Sequence, residues 1–318
     1  MKSRVLITCP QLQVTVDQYR QIFEDHDIEI ELPVIDQHLR EHELLELIER
    51  VDGIIAGDDE LSAKVLEKAT QLKVIARWGV GVDGVDLETA EQLGIQVSNT
   101  PGVFSDEVAD VVIGYIIMLA RQLHKLDQSI RNGGWAKIPG ITLRGKTLGI
   151  IGVGSIGRAV ANRGVACGMQ IIGHDLHPVP DSVIETVPLR MVELDQLLKS
   201  SDFISLNCNL TAENRHMLGT NQFEMMKPGV FIINASRGAL IDEEALIQAL
   251  YDRKISGAAL DVFESEPLPT DSPLRKFENC IFGSHNGSNT FEAVMRVNDL
   301  AIRNLIAGLE QQGARHNL

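Results

Sequence analysis

The chain of 318 residues contains few cysteines and aromatic residues, and it has no long hydrophobic run. Its four cysteines lie far apart and form no CxxC pair, so we expect buried free thiols in a reducing compartment and no disulfide framework. The longest apolar block, residues 111–120, is too short to cross a bilayer. The first ten residues predict a strand and not a signal peptide. We therefore expect a cytoplasmic protein with no membrane partner.

Basic residues are also in the minority, with 29 Lys and Arg against 44 Asp and Glu, which gives a formal charge of −15 at pH 7. This charge repels phosphate backbones, so we expect no nucleic-acid partner. It also repels anionic substrates at long range, so an anion site would require a local positive centre. The hydrophobic content of 44% suffices for packed cores, and the length fits two domains.

Short apolar runs alternate with amphipathic segments along the whole chain. The predicted strands are 5–8, 53–56, 73–76, 146–151, 170–174, 203–206, 230–234, 257–261 and 280–282. The predicted helices are 39–50, 62–69, 106–126, 189–198, 221–226, 242–252 and 289–312, and a breaker cluster at 99–102 predicts a hinge. The helix at 106–126 is apolar nearly all round, which is typical of burial against another domain or a second subunit. The alternation predicts an α/β fold with doubly wound parallel sheets.

The segment 148–158 carries the strongest functional signal, because an apolar run leads into the pattern GxGxxG at Gly152, Gly154 and Gly157. The three glycines permit a tight strand-to-helix turn, close approach of a pyrophosphate and close packing of the helix on the sheet. The start of that helix then favours a diphosphate. Asp175 ends the next apolar run, where it can bind a ribose 2′-hydroxyl and would repel a 2′-phosphate. The unit therefore predicts NAD binding, with NAD favoured over NADP.

Three polar residues follow predicted strands in the second half of the chain: Arg237, Glu266 and His285. Ligands of open α/β sheets bind outside the carboxyl ends of the strands, so the three side chains could face one crevice. Reduction of a ketone leaves negative charge on oxygen, and a histidine can supply the proton because it titrates near neutrality. The Glu266 carboxylate would orient the imidazole and favour its protonated form, and Arg237 could clamp a substrate carboxylate. Taken singly, each residue also has an ordinary explanation as a surface or loop side chain.

His38 and His42 have the i, i+4 spacing of a predicted helix, which can bind a metal ion. No third ligand of suitable context accompanies them. We expect both to be surface residues, and no metal site.

Four motifs occur in a characteristic order: GVGSIG at 152–157, KPGVFIINASRG at 227–238, GAALDVFESEP at 257–267 and SHNGSNT at 284–290. In these motifs the chain resembles the D-isomer-specific 2-hydroxyacid dehydrogenases over essentially its whole length. The resemblance implies two doubly wound parallel-sheet domains, with a Rossmann NAD domain at 100–288 inserted into a flavodoxin-like substrate domain. That substrate domain would span 1–99, completed by 289–318, with the reaction in the cleft.

The resemblance also implies roles for residues at matching positions. Arg237, Glu266 and His285 become the catalytic set. Backbone N–H groups of Val80 and Gly81 would bind the substrate carboxylate together with Arg237. The implied cofactor-binding residues are Gly152, Gly154, Ser155, Ile156, Gly157, Asp175, Ala235, Arg237, Asp261, His285 and Ser288. Among these, Ser155 and Ile156 would meet the pyrophosphate through backbone N–H groups, and Asp261 would hold the nicotinamide carboxamide.

The implied activity is hydride transfer between NAD(H) and a small 2-hydroxy acid or 2-ketoacid, in a homodimer like most of the family. Segment 103–110, with Phe104, is similar to the glyoxylate/hydroxypyruvate reductase branch, whereas segment 119–122 resembles 3-phosphoglycerate dehydrogenase. Asn286 departs from the apolar residue or threonine common after the histidine.

Two alternatives stay open. The substrate could be a phosphorylated or sulfonated hydroxy acid, for which Arg77, Lys137 and Arg144 are candidate anion-binding residues. The chain could also be an NAD-sensing scaffold like the corepressor relatives of the family, which act through protein partners. A formate dehydrogenase is disfavoured, because formate oxidation needs no general acid and the chain retains one.

Overall fold

A computed structural model describes residues 2–35, 37–180 and 187–315 of the chain. The chain divides into two compact units, one formed by Met1–Val103 with Thr290–Leu318 and the other by Phe104–Asn289. The end of the predicted segment 289–318, residues 316–318, lies outside the described residues. Both units consist of parallel strands separated by helices, as the alternating pattern predicts.

The first unit contains a five-stranded, wholly parallel sheet in the order β2-β1-β3-β4-β5. This is the flavodoxin-like order, as expected. Its strands are β1 (Ser3–Ile7), β2 (Ile28–Glu31), β3 (Gly53–Ala56), β4 (Val74–Arg77) and β5 (Gln96–Ser98). Its helices are α1 (Pro10–Thr15), α2 (Arg20–Asp25), α3 (Glu41–Leu47), α4 (Ala63–Lys68) and α5 (Leu87–Gln92), with the C-terminal helix Phe291–Arg315. The pattern missed β2 and β5, because both are short edge strands without a continuous apolar run.

The C-terminal helix packs on the sheet of the first unit. Leu305 of this helix lies against Gly53 of β3, and Gly308 lies against Val74 of β4. A Cβ at Gly308 would come within 2.8 Å of both Val74 methyl groups, so only glycine permits this close approach. The inner strands are buried on both faces, which explains why their sequences are continuously apolar.

The second unit contains a seven-stranded, wholly parallel sheet in the order β12-β11-β10-β9-β6-β7-β8, an extended Rossmann order. Its strands are β6 (Thr147–Ile151), β7 (Gln170–His174), β8 (Leu189–Met191), β9 (Phe203–Leu206), β10 (Val230–Asn234), β11 (Ile255–Leu260) and β12 (Cys280–Phe282). Its helices are α6 (Ser105–Arg121), α7 (Leu123–Arg131), α8 (Ser155–Ala166), α9 (Leu194–Ser200), α10 (Thr220–Met225) and α11 (Glu243–Tyr251); the C-terminal helix of the first unit is α12. The predicted fold class is therefore confirmed.

Two predicted helices of the second unit are wrong in their extent. The segment 106–126 forms α6 and α7, because Gln122 adopts a left-handed conformation (φ 52°) that ends the first helix. The segment 189–198 begins as strand β8, where the N–H of Val192 donates to the carbonyl of Gly173 on β7 at 2.8 Å. Pairing with a sheet edge thus overrides the helical pattern.

The predicted helix 39–50 begins at Glu41, because the Glu43 carboxylate accepts a hydrogen bond from the N–H of Arg40 at 2.9 Å and caps the helix there. His38 therefore precedes the helix, and only His42 lies on it. In the parts of the chain that the structure describes, no group of three or more His, Cys, Asp or Glu could hold a metal ion. No helix within these parts combines the length and apolar character needed to cross a membrane.

Candidate active site

The glycine-rich turn between β6 and α8 has the geometry that its sequence predicts. Gly152 adopts φ 91°, and a Cβ there would come within 2.8 Å of the backbone of Asn207 and Cys208. A Cβ at Gly157 would overlap the carbonyl of Gly152, so the helix can pack this closely only with glycine. At Gly154, by contrast, a Cβ would meet no atom within 4 Å. The backbone is therefore open on the side where a ligand could approach it.

Helix α8 begins directly at this turn, at Ser155. The first N–H groups of a helix, here those of Ser155, Ile156 and Gly157, have no acceptor within the helix. They point out of its N-terminus together with the positive end of the helix dipole. The turn therefore offers a site for a diphosphate.

Asp175 follows β7 and closes the same turn. Its Oδ2 accepts a hydrogen bond from the N–H of Val153 at 2.7 Å, and its Oδ1 accepts one from the N–H of His177 at 3.0 Å. The half-buried carboxylate is thus fixed beside the glycine turn. This is the position from which an acidic residue reaches a nucleotide ribose.

The sheet order places the three predicted catalytic residues on neighbouring loops. Arg237, Glu266 and His285 follow β10, β11 and β12 respectively, and these strands are adjacent at one end of the sheet. Because all strands are parallel, the three loops leave the same edge. Ala235 lies on the first of these loops and Ser288 on the third, both half-buried.

His285 and Glu266 are in direct contact, with imidazole Nδ1 at 2.8 Å from Glu266 Oε2. The other oxygen, Glu266 Oε1, accepts a hydrogen bond from the N–H of Phe263 at 3.0 Å. The side chains of His285 and Glu266 retain 23% and 18% exposure, so both can meet a ligand while being held in place. Nδ1 is therefore the ring nitrogen that faces the carboxylate, and Nε2 is the other one.

Arg237 is tied to the Glu266 loop through its neighbour Gly238. A Cβ at Gly238 would overlap the backbone of Phe263, so the two loops touch backbone to backbone. The guanidinium Nη1 of Arg237 donates to the carbonyl of Ser236 at 2.9 Å, and the Arg237 carbonyl accepts from the Asn234 amide at the same distance. The loop that carries the permanent positive charge of Arg237 is thus packed against the loop that carries Glu266.

A second acidic pair fixes the Glu266 loop from its outer side. The N–H of Glu243 donates to Glu264 Oε1 at 3.0 Å, and the N–H of Glu264 donates to Glu243 Oε1 at 2.7 Å. His216 Nε2 lies 3.1 Å from the same Glu264 Oε1. Burial raises the pKa of Glu243, and the charges of Glu264 and Glu266 add to this rise. This reciprocal clamp anchors the loop to the start of α11.

In the first unit, the predicted carboxylate-binding residues Val80 and Gly81 lie on the loop after β4. The carbonyl of Val80 accepts from the Asn99 amide at 2.7 Å. The preceding Gly79 exchanges hydrogen bonds with Thr100, since its N–H donates to Thr100 Oγ1 and its carbonyl accepts the N–H of Thr100. The loop is therefore rigidly held, with Val80 and Gly81 both half-buried.

Of the three candidate anion-binding cations, two are placed unfavourably for that role. Arg77 is buried (6% exposed), forms an ion pair with Asp58 and donates to the carbonyl of Trp78. Arg144 precedes β6 and lies beside Gly168, at the amino edge of the second sheet. The functional loops leave the opposite, carboxyl edge. Lys137 is exposed.

The sequence patterns did not identify two residues that form hydrogen bonds with partners far away in the chain. The Tyr115 hydroxyl on α6 donates to Asp261 Oδ1 at 3.2 Å, and Trp78 Nε1 donates to Asn298 Oδ1 at 2.7 Å. The only available signals were a tyrosine in an apolar helix and a tryptophan after a strand. Neither signal identifies a partner more than a hundred residues away.

The chain is similar to known proteins in both sequence and fold. The family model described as "D-isomer specific 2-hydroxyacid dehydrogenase, NAD binding domain" matches residues 113–287. A glyoxylate reductase of Thermococcus litoralis is 41% identical over 274 residues, which cover 83% of this chain and 82% of that protein. A D-3-phosphoglycerate dehydrogenase of Methanocaldococcus jannaschii is 43% identical over 259 residues, which cover 80% of this chain and 49% of that protein.

Among solved structures, the D-lactate dehydrogenase of Aquifex aeolicus, crystallised with NAD and lactic acid, superimposes with a TM-score of 0.87. The two chains are 27% identical, and the match covers 97% of this chain and 96% of the other. The names of these three similar proteins thus refer to three different substrates.

Proposed function

Because the chain belongs to the D-isomer specific 2-hydroxyacid dehydrogenase family, and is thus an NAD-dependent enzyme acting on CH–OH donors, we propose that it reduces a small, unphosphorylated 2-ketoacid. The contact between His285 and Glu266, on loops that neighbour the loop of Arg237, is the observation that carries this proposal. A carboxylate-oriented histidine and a permanent cation on neighbouring loops fit a substrate with a carbonyl and an adjacent carboxylate.

The second unit has the features that NAD requires. The open backbone at Gly154 and the first N–H groups of α8, from Ser155 and Ile156, would hold the pyrophosphate. Asp175 would bind the adenosine ribose. Further contacts are assigned to Ala235, Arg237, Asp261, His285 and Ser288. Bound NADH would supply the hydride that reduction adds to the carbonyl carbon.

Side chains of the protein would bind the substrate carboxylate and transfer the proton. Arg237 would hold the substrate carboxylate through its guanidinium, and so orient the carbonyl. His285 would donate the Nε2 proton to the carbonyl oxygen as negative charge develops there. Glu266 would stabilise the imidazolium and fix the ring through Nδ1. In the oxidative direction, Nε2 would take the proton of the alcohol.

In the first unit, we assign recognition of the substrate carboxylate to the N–H groups of Val80 and Gly81. The two hydrogen bonds between Gly79 and Thr100 support this assignment, since they hold the loop in one conformation. Preorganised backbone donors bind an anion without a further entropic cost of ordering. Residues 1–99, completed by 289–318, would thus form the substrate domain.

The substrate class rests on where the cations lie. A phosphate or sulfonate on the substrate would need a cationic group besides Arg237. The Arg77 guanidinium is buried in its pair with Asp58, and Arg144 lies at the amino edge of its sheet. We therefore favour a small acid such as glyoxylate or hydroxypyruvate over its phosphorylated analogues.

Oxidation of NADH at 340 nm tests this proposal with a panel of glyoxylate, hydroxypyruvate, pyruvate, 3-phosphohydroxypyruvate and 3-sulfopyruvate. We expect the highest kcat/KM for an unphosphorylated acid. A tenfold or greater preference for phosphohydroxypyruvate or sulfopyruvate would reject the substrate class. Absence of turnover across the panel, with NADH still bound, would reject the proposed substrates and indicate a 2-hydroxy acid or 2-ketoacid outside the panel.

We also propose that the enzyme is a homodimer through the region that follows α6. The large apolar side chains Leu123, Ile130, Trp135 and Ile141 are all exposed here, Trp135 to 82%. A cluster of this kind on one segment is typical of an interface. Light scattering should give a mass near 70 kDa, twice the 35.0 kDa of the chain, and Trp135→Ser should shift the population towards monomer.

A further inference from the structure

Tyr115 lies in the apolar block 111–120 of helix α6, and its hydroxyl is directed into the second unit. The hydroxyl donates a hydrogen bond to Asp261 Oδ1 at 3.2 Å. It also lies against Gly283, where a Cβ would overlap both the hydroxyl and Asp261 Oδ1. The phenol and the carboxylate thus pack against the backbone of Gly283 so closely that no side chain fits at that position.

Asp261 connects this space to the loop that contains His285. Its Oδ2 accepts the N–H of Gly287 at 2.7 Å, and its backbone carbonyl accepts the N–H of His285 at the same distance. His285 has φ 55°, a conformation that is costly for a residue with a Cβ. Such a backbone conformation persists only where surrounding hydrogen bonds hold it in place. Asp261 accepts two of these hydrogen bonds, from the N–H groups of His285 and Gly287.

We propose that Tyr115 is a positioning residue for hydride transfer, because it fixes the Asp261 carboxylate and, through it, the His285 loop and the nicotinamide end of the cofactor site. This inference rests on the proposed roles of Asp261 and His285. It adds a residue that none of the chain's sequence motifs includes. Tyr115 acts from behind the site and touches no reacting atom.

The electrostatics of the pair agree with this role. Burial raises the pKa of Tyr115, and the charge and hydrogen bond of Asp261 raise it further, so the phenol stays a donor. Asp261 is only 2% exposed, so water cannot easily replace a lost donor. Hydrogen bonds to a buried charged group are worth about ten- to hundredfold in an equilibrium constant.

Tyr115→Phe removes the hydroxyl and keeps the ring, and Tyr251→Phe is the matched control because Tyr251 is exposed. Binding of NADH and of ADP-ribose, which lacks the nicotinamide, separates positioning from structure without any substrate. We expect Tyr115→Phe to weaken NADH binding about tenfold and to leave ADP-ribose binding within twofold. Equal weakening of both ligands, or loss of neither, would overturn the proposal.

A double-variant cycle with Asp261→Ala, which removes the acceptor of the Tyr115 hydroxyl, tests whether Tyr115 acts through Asp261. In the Asp261→Ala background, Tyr115→Phe should weaken NADH binding less than twofold. An undiminished tenfold effect in that background would mean that Tyr115 acts elsewhere. Because these are binding measurements, they stand even if the substrate panel rejects the proposed ketoacids, and turnover of wild-type protein on that panel tests the proposed function separately.

Discussion

Glu266 faces His285 with one carboxylate oxygen and its own loop with the other: Oε2 lies 2.8 Å from Nδ1 of His285, and Oε1 accepts the N–H of Phe263 at 3.0 Å. The carboxylate is therefore fixed by backbone before it acts on the imidazole. This arrangement sets the direction of Nε2, which is the atom on which the proposed proton transfer depends.

Replacement of His285 by alanine should remove the proton donor and leave the cofactor site nearly intact. We expect turnover to fall by roughly 10² to 10⁴, with NADH affinity within a few fold of wild type. His42→Ala, at an exposed position on α3, is the control. Unchanged turnover in His285→Ala would refute the proposed role.

Replacement of Asp175 by alanine should remove the carboxylate that is fixed by the N–H groups of Val153 and His177. We expect NADH to bind about ten- to hundredfold more weakly, and discrimination against NADPH to relax. Fluorescence titration with NADH and with NADPH measures the two affinities. Asp195→Ala is the control, because the Asp195 side chain is exposed. A constant ratio of the two affinities would mean that Asp175 does not meet the ribose.

Replacement of Gly238 by alanine should separate the loops that carry Arg237 and Glu266, because the new methyl group would overlap the Phe263 backbone. We expect a loss of about 1–3 kcal/mol in the free energy of unfolding and at least a tenfold fall in kcat. Gly219→Ala is the matched control, since its Cβ would meet no atom nearer than 3.7 Å. Wild-type kinetics in Gly238→Ala would show that the loop contact is dispensable.

Replacement of Asp59 by asparagine should change how stability depends on pH. Burial raises the pKa of Asp59, against the lowering effects of its hydrogen bonds with Leu39 and Thr8 and the charge of Arg77. A carboxyl with a raised pKa binds its proton more tightly in the folded state, so its stabilising contribution is present at low pH and is lost as the pH rises through the raised pKa. Asparagine does not ionise and so avoids this loss.

We therefore expect the melting temperature of Asp59→Asn, relative to wild type, to increase as the pH is raised from about 4 to 7. The amide oxygen can still accept the N–H of Leu39, which Oδ1 of Asp59 accepts at 2.7 Å. Asp25→Asn, at an exposed position, controls for the change in net charge. A difference in melting temperature that falls with rising pH would mean that the folded protein lowers the pKa of Asp59.

Local patterns were sufficient to predict much of this molecule. The buried strands of both sheets were recognisable because parallel strands covered on both faces must be continuously apolar. The turn at Gly152 and Gly157 was recognisable because only glycine fits those backbone contacts. The failures came at sheet edges and at Gln122, where pairing with a neighbouring strand or a single left-handed residue overrode the helical pattern.

What the sequence alone determined was therefore the set of strands, the glycine turn and the types of residue that follow the strands, since each depends on neighbours in the chain. Only the tertiary structure decided that Tyr115 meets Asp261, 146 residues away, and that the charge of Arg77 is paired with Asp58. Such pairs depend on strand order and on the rotation of each helix against its sheet. Those quantities arise from packing of the whole unit, so no local pattern records them.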